Sequence, residues 1–355
     1  MYGSSINFIE VARIIYRRMK PLDRFYKSLE SIPLDRPPVI PQATYCVAGW
    51  LDIDLRKPAY DAKLMAYSLI EGWKRAGYEG IYVGWEASFN ILAEAFGAIL
   101  EGVEGELPRV SKPILEDVDD ADELSIPDPW MDGRIPIHLE AIRIVCKAVD
   151  GEVPVLSYVP GPLTLTALLL GSGKTFRYLY FEPGRLGKLM DIVCRASTSF
   201  AEAKIESGCE VIVVADPMSS LVKPSIFEEH ISLYINRILE GIRGGAIPSL
   251  HICGDTSKIL ASIGKFRIRI FEVDTPVDLS YAKSILRDVC IMGNVSTTLL
   301  KIGKPSDIER EVVECIRKAG LQGYIVSSGC EVPYSTPIEN VKAMVDATVK
   351  SGRIT

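Results

Sequence analysis

Short apolar runs of six or seven residues recur along the chain, separated by longer stretches in which apolar residues return every three or four positions. The first pattern is that of buried strands and the second that of amphipathic helices. Eight runs read as strands: "PPVIPQA" (37–43), "GIYVGW" (80–85), "PVLSYV" (154–159), "EVIVVAD" (210–216), "IPSLHIC" (247–253), "IRIFEVD" (268–274), "VCIMGNV" (289–295) and "GYIVSSG" (323–329). Helical spacing covers 58–76, 88–103, 183–207, 224–242, 256–263, 279–287, 305–319 and 337–351. Strands alternating with helices imply a parallel sheet with helices outside it. Eight such units in a chain of 355 residues predict a closed (β/α)8 TIM barrel rather than an open sheet. Residues 1–35 are expected to form an N-terminal helical extension, and 36–355 a single catalytic domain. The stretch 104–153, with "DVDDADELSIPDP", reads as an excursion between the second and third strands.

Charge narrows the function classes. The formal net charge is −6 and no run interleaves basic and aromatic residues, which argues against nucleic acid as a partner. No stretch approaches 18 uncharged apolar residues, so no membrane span is expected. The first twenty residues alternate apolar and polar at helical spacing without a signal-peptide core, and the expected location is the cytoplasm. Eight scattered cysteines in a chain able to build its own core read as thiols rather than disulfides. Cys146, Cys194 and Cys315 fall in helical patterns, and Cys209 and Cys290 lead into strands, where cysteine acts as a small buried hydrophobe.

In a (β/α)8 barrel the chemistry sits at the C-terminal ends of the strands. "GSGKT" (171–175) is therefore a decoy: a phosphate-binding loop needs a glycine where Leu168 stands, and the stretch reads as a break between two helices. "HIC", by contrast, ends the fifth strand. Side chains two apart on a strand share a face, so His251 and Cys253 reach the barrel mouth together. The eighth strand ends "SSGCEVPYSTP" and brings Cys330 to the same rim. One imidazole and two thiolates form a donor set that zinc favours, with an open fourth position marking a catalytic site. A carboxylate is expected to fill that position at rest, Asp274 first and Glu272 behind it. A buried cysteine and a satisfied core histidine are the competing reading of the same residues. Asp216 and Glu86, after the fourth and second strands, read either as pocket-lining groups or as helix caps. Tyr45 follows the first strand and is a further pocket-lining candidate. Cys46 reads as a spare soft ligand or as core filler. His138 and His230 read as packing or surface residues.

The phrases "HICGDT", "VDLSYAK", "IMGNVST" and "GYIVSSGCEVPYSTPIENVKAM", with "VPGPLTLTALLLG", "FEPGRLGKLM" and "AEAKIESGCEVIVVADPMSS" upstream, resemble the uroporphyrinogen decarboxylase superfamily over roughly 25–351. Within it the resemblance is to the corrinoid-dependent branch, the methylcobamide:coenzyme M methyltransferases. That resemblance implies zinc held by His251, Cys253 and Cys330, and methyl transfer from a methylated corrinoid to a small thiol. It also separates the chain from the decarboxylases themselves. Their arginine-rich early segment is replaced by "VIPQATYCVAGW", and their late Gly-His by Gly329-Cys330. A porphyrin decarboxylase and a homocysteine S-methyltransferase stand as alternatives. No histidine here has an aspartate two positions before it, as a corrinoid-carrying domain requires. The methylcorrinoid is thus expected on a separate corrinoid protein that docks at the barrel mouth.

Overall fold

Seven of the eight apolar runs form one parallel sheet, in chain order, in the computed structural model, which describes residues 19–85, 88–102 and 107–352. The strands are β1 Ile81–Tyr82, β2 Val155–Pro160, β3 Val211–Ala215, β4 Ile247–His251, β5 Ile270–Val273, β6 Cys290–Val295 and β7 Tyr324–Ser328. The run at 37–43 contains Pro37, Pro38 and Pro41, which lack the N–H that a ladder needs. It shrinks to a single parallel bridge, Val39 to Val326. That bridge still closes the ring. Ile40 N–H donates to the Val326 carbonyl at 2.9 Å and Val326 N–H to Pro38 at 2.9 Å on one side, while Glu79 N–H donates to Val39 at 2.7 Å on the other. The chain is a TIM barrel.

Alternation along the strands sorts the core into two layers. Leu156, Tyr158, Val211, Val213, Ile270, Met292 and Ile325 fill the barrel interior. Their odd-numbered or even-numbered neighbours, such as Val155, Val159, Ile212, Val214, Phe271 and Ile291, pack outward against the helices. The interior cluster also holds Phe25 and Leu29, from the helix Pro21–Leu29. Leu22 N–H bonds the Glu152 carbonyl, just ahead of β2, so this helix closes the N-terminal end of the barrel. A buried ion-pair cluster pins it there: Arg24 lies 2.6 Å from Glu79 and 2.8 Å from Asp35, and Arg36 lies 2.7 Å from Glu79. Of the expected extension, residues 1–18 lie outside the described residues.

The 104–153 excursion differs from expectation. After an antiparallel pair, Leu100–Glu101 with Arg109–Val110, it contains a 15-residue helix, Ile135–Val149, that packs against the Ala62–Ala76 helix. His138 on this helix is fully buried, whereas His230 is half-buried. "GSGKT" is the expected break: Gly171, with φ of +90°, separates Pro162–Leu170 from Ser172–Phe181. No helix among the described residues is long and apolar enough to cross a membrane.

A buried amine also lies in the outer layer. Lys204, on the 24-residue helix Pro183–Glu206, is 0% exposed. Its Nζ reaches Ser88 Oγ at 3.0 Å, Ser157 Oγ at 2.9 Å and the Tyr158 carbonyl, and sits 4.1 Å from the centre of the Phe200 ring. Burial lowers this amine to about 7.

Candidate metal centre

His251 is the last residue of β4, and its register partner on β5 is Glu272, so both side chains point into the barrel. Two residues on, Cys253 continues the same face, and Gly254 then turns the chain with φ of +85°. β7 ends at Ser328, and Cys330 follows across the rim. His251 Nε2 lies 2.8 Å from Cys253 Sγ, which lies 3.2 Å from Cys330 Sγ. One ligand atom from each of the three residues falls within 4.8 Å of the others. His251 is 3% exposed, and both cysteines are partly buried.

The three side chains shift one another's acidities. The hydrogen bond between the sulfurs pulls them apart, raising Cys253 and lowering Cys330 to about 5. Burial works against a charged His251, yet Cys253, Cys330 and Glu272 together lift its imidazolium well above the ordinary histidine range. One imidazole nitrogen and two sulfurs converging at a partly buried rim are a donor set that suits a divalent cation. Zinc ligated by sulfur at about 2.3 Å spaces neighbouring ligand atoms about 3.5 to 3.8 Å apart. The two sulfurs, at 3.2 Å, and the Nε2–Cys253 pair, at 2.8 Å, need to open by about 0.6 to 0.8 Å to match that spacing, and the donor set fits zinc.

The loops around the triad are fixed by Asp274, which follows β5. Its carboxylate accepts from Gly254 N–H at 2.7 Å and Thr275 N–H at 2.6 Å, tying the turn after Cys253 to the end of β5. Asp274 lies outside the convergent group of three. Gly329 allows β7 to approach this clamp: a Cβ there would lie 2.6 Å from Thr275 Oγ1 and 2.8 Å from Asp274 Oδ1. Tyr45 is brought to the same rim, where burial first, and then the charges of Glu331 and Cys330, raise its phenol. Next to it Thr44 Oγ1 donates to Glu331 at 2.6 Å.

Asp216 is placed differently. It is fully buried, and its carboxylate accepts from Leu163 N–H at 3.3 Å, Thr164 N–H at 2.7 Å, Thr164 Oγ1 at 2.5 Å and Ser219 Oγ at 2.8 Å. It therefore caps the helix Pro162–Leu170, which follows β2, with Gly161 leaving room for it. Of the two readings open for Asp216, the geometry is that of a cap. Glu86 lies outside the described residues. Cys46 is fully buried in the outer core and away from the triad's group of ligand atoms.

Sequence reasoning placed Glu272 only as a reserve ligand and missed its contact. Its Oε2 lies 3.3 Å from His251 Nδ1, on the ring edge away from the sulfurs, and its Oε1 accepts from Tyr82 OH at 2.6 Å. A charged residue inside the apolar run "IRIFEVD", on the strand adjacent to His251, was the available signal.

Comparison with known proteins gives the chain its relatives. Methylcobamide:CoM methyltransferase MtaA of Methanosarcina barkeri is 26% identical over 334 residues, covering 91% of this chain and 96% of that protein. A methylated-thiol–coenzyme M methyltransferase of Methanosarcina mazei is 29% identical over 308 residues, covering 85% of this chain and 79% of that protein. A solved methyltransferase from Methanosarcina mazei superposes with a TM-score of 0.86 at 24% identity, covering 94% of this chain and 99% of its own. The family model for uroporphyrinogen decarboxylase (URO-D) matches residues 20–351. The match spans both cysteines and the histidine of the triad, and the chain belongs to the uroporphyrinogen decarboxylase (URO-D) family.

Proposed function

We propose that this chain transfers a methyl group from a methylated corrinoid to a small thiol, with coenzyme M as the leading acceptor. The observation that carries the reading is the convergence of His251, Cys253 and Cys330 at the C-terminal rim of the barrel. The relatives named above, one a methylcobamide:CoM methyltransferase and the other a methylated-thiol–coenzyme M methyltransferase, support it.

His251 Nε2 and the sulfurs of Cys253 and Cys330 are the groups that would hold zinc. Zinc bound there would deprotonate the acceptor thiol and orient its sulfur as the nucleophile. The chain's own residues prepare the site. Asp274 holds the Cys253–Gly254 turn in place through the N–H groups of Gly254 and Thr275, and its carboxylate keeps lone pairs with which it could serve as a fourth ligand. Two cysteinates keep the centre electron-rich, which favours a nucleophilic thiolate over activation of water. Tyr45 and Glu331 line the approach to Cys330. As sulfur bonds to the methyl carbon, the cobalt–carbon bond breaks and its electron pair leaves with cobalt(I). The donor is carried by a separate corrinoid protein that docks over the mouth.

The test is anaerobic absorbance of methylcob(III)alamin with zinc-loaded protein and coenzyme M, homocysteine or no thiol. Loss of the methyl–cobalt spectrum with one thiol alone is expected, together with its loss of rate in Cys330→Ser. A Cys330→Ser protein with full zinc content and full activity would refute the assignment. Decarboxylation of uroporphyrinogen by a zinc-free preparation would replace it.

A further inference from the structure

Glu272 is 0% exposed, deep in the barrel beneath the triad, and its partners among the described residues are Tyr82 and His251. A carboxylate in such surroundings is costly unless its charge is met. Tyr82 supplies one O–H. The remaining oxygen, Oε2, and His251 Nδ1 make no hydrogen bond to any described group, and they face each other at 3.3 Å. Tyr82 is itself held: its ring stacks on Tyr158 with centroids 5.0 Å apart, and Tyr158 OH donates to Gln42 Oε1 at 2.9 Å. The order Tyr82–Glu272–His251 thus runs up the barrel axis to the sulfurs, with Nε2 directed at Cys253 and Nδ1 at the carboxylate.

Resting on the metal reading above, we propose that Glu272, held by Tyr82, is the positioning residue for His251. A carboxylate facing Nδ1 fixes the proton on that nitrogen and leaves the Nε2 lone pair free for the ion. It also makes the imidazole a stronger donor. The arrangement explains why a glutamate is buried where neighbouring strands place Met292 and Ala215 at the same level. Glu272 does not itself reach the ion, because its free oxygen lies on the far edge of the ring.

The test measures zinc affinity, by competition with a chelating chromophore, and the visible spectrum of the cobalt(II)-substituted protein. Neither depends on methyl transfer. Glu272→Gln is expected to bind zinc about ten- to hundredfold more weakly, the range for loss of such outer partners. Its cobalt(II) bands should shift. Tyr82→Phe, which removes one O–H and keeps the ring, is expected to weaken zinc severalfold. A folded Glu272→Gln with the wild-type affinity and spectrum overturns the proposal. Should Glu272→Gln fail to fold, Tyr82→Phe decides: weaker zinc supports the proposal and unchanged zinc overturns it. A wild-type protein without zinc affinity overturns the proposed function as well, whereas equal affinities in wild type and variants overturn this inference alone.

Discussion

Replacing Lys204 by methionine tests how the outer layer tolerates a buried amine. In the unfolded chain a lysine keeps its proton to about pH 10.5, whereas burial lowers the folded Lys204 to about 7. Between those values the unfolded state binds more protons, so stability rises with pH across the window and is lowest at and below pH 7. At about 1.4 kcal/mol per pH unit, the penalty is roughly 4 kcal/mol at pH 7 and roughly 2 kcal/mol at pH 9. The neutral amine is well accommodated. Ser157 Oγ already donates to the Val83 carbonyl at 2.5 Å, so it and the Tyr158 carbonyl accept from Lys204, and Ser88 Oγ can donate to the nitrogen lone pair. Lys204→Met removes the proton equilibrium but leaves the Tyr158 carbonyl short of a donor, at about 1–3 kcal/mol. Urea unfolding of wild type and variant at pH 7 and pH 9 is the assay, since the titrations of groups remote from Lys204 are common to both and cancel. The wild-type stability minus that of the variant is expected to increase by about 2 kcal/mol from pH 7 to pH 9. A difference that stays flat, or falls, would show that the amine remains charged in the fold and refute the reasoning.

Further outcomes follow from the same kind of accounting. Glu79→Gln leaves Arg24 and Arg36 facing a neutral amide at the closed end of the barrel and should cost about 3 kcal/mol in urea unfolding, with faster amide exchange over Pro21–Leu29. Gly329→Ala drives a methyl group against Thr275, its backbone nitrogen included, and Asp274, so zinc affinity should fall at least about tenfold and the thermal midpoint should fall as well, by the roughly 1–3 kcal/mol of an overpacked site. Removing the metal with a chelator in air should allow Cys253 and Cys330, 3.2 Å apart, to oxidise to a disulfide. Thiol titration would then count two fewer than the eight free cysteines, reversibly with reductant, and zinc-loaded protein would show no loss.

How much of this was readable in the residues depends on the kind of signal. Strand order and the mouth of the barrel followed from apolar runs, because parallel strands buried on both faces leave an unbroken hydrophobic signature. The first strand read longer than it is, since the proline-rich run "PPVIPQA" is apolar but poor in donors. The helix Ile135–Val149 was hidden behind the acidic stretch "DVDDADELSIPDP", which drew attention to a loop rather than to the periodicity after it. The triad was legible from spacing along one strand plus a resemblance. The tertiary use of Asp216 was not. Apart from Ser219, its donors sit about fifty residues earlier, on a helix after a different strand, and no local pattern encodes a cap supplied from the neighbouring strand. The Glu272–His251 contact depends on register between β4 and β5, which sequence periodicity leaves free.

The helix Pro21–Leu29 stoppers the barrel from below with Phe25 and Leu29, above which Tyr82, Tyr158 and Met292 occupy the bore. The triad therefore stands at the rim of a cup stopped from below, not along a corridor. Both reactants of the proposed transfer would come and go over one rim, and a macromolecular donor resting on that rim would act as a lid. The small thiol must then be seated before the lid arrives, and its methylated product must wait until the lid lifts. Steady-state kinetics with a protein-borne corrinoid should accordingly be ordered, with excess donor protein inhibiting by trapping the empty cup.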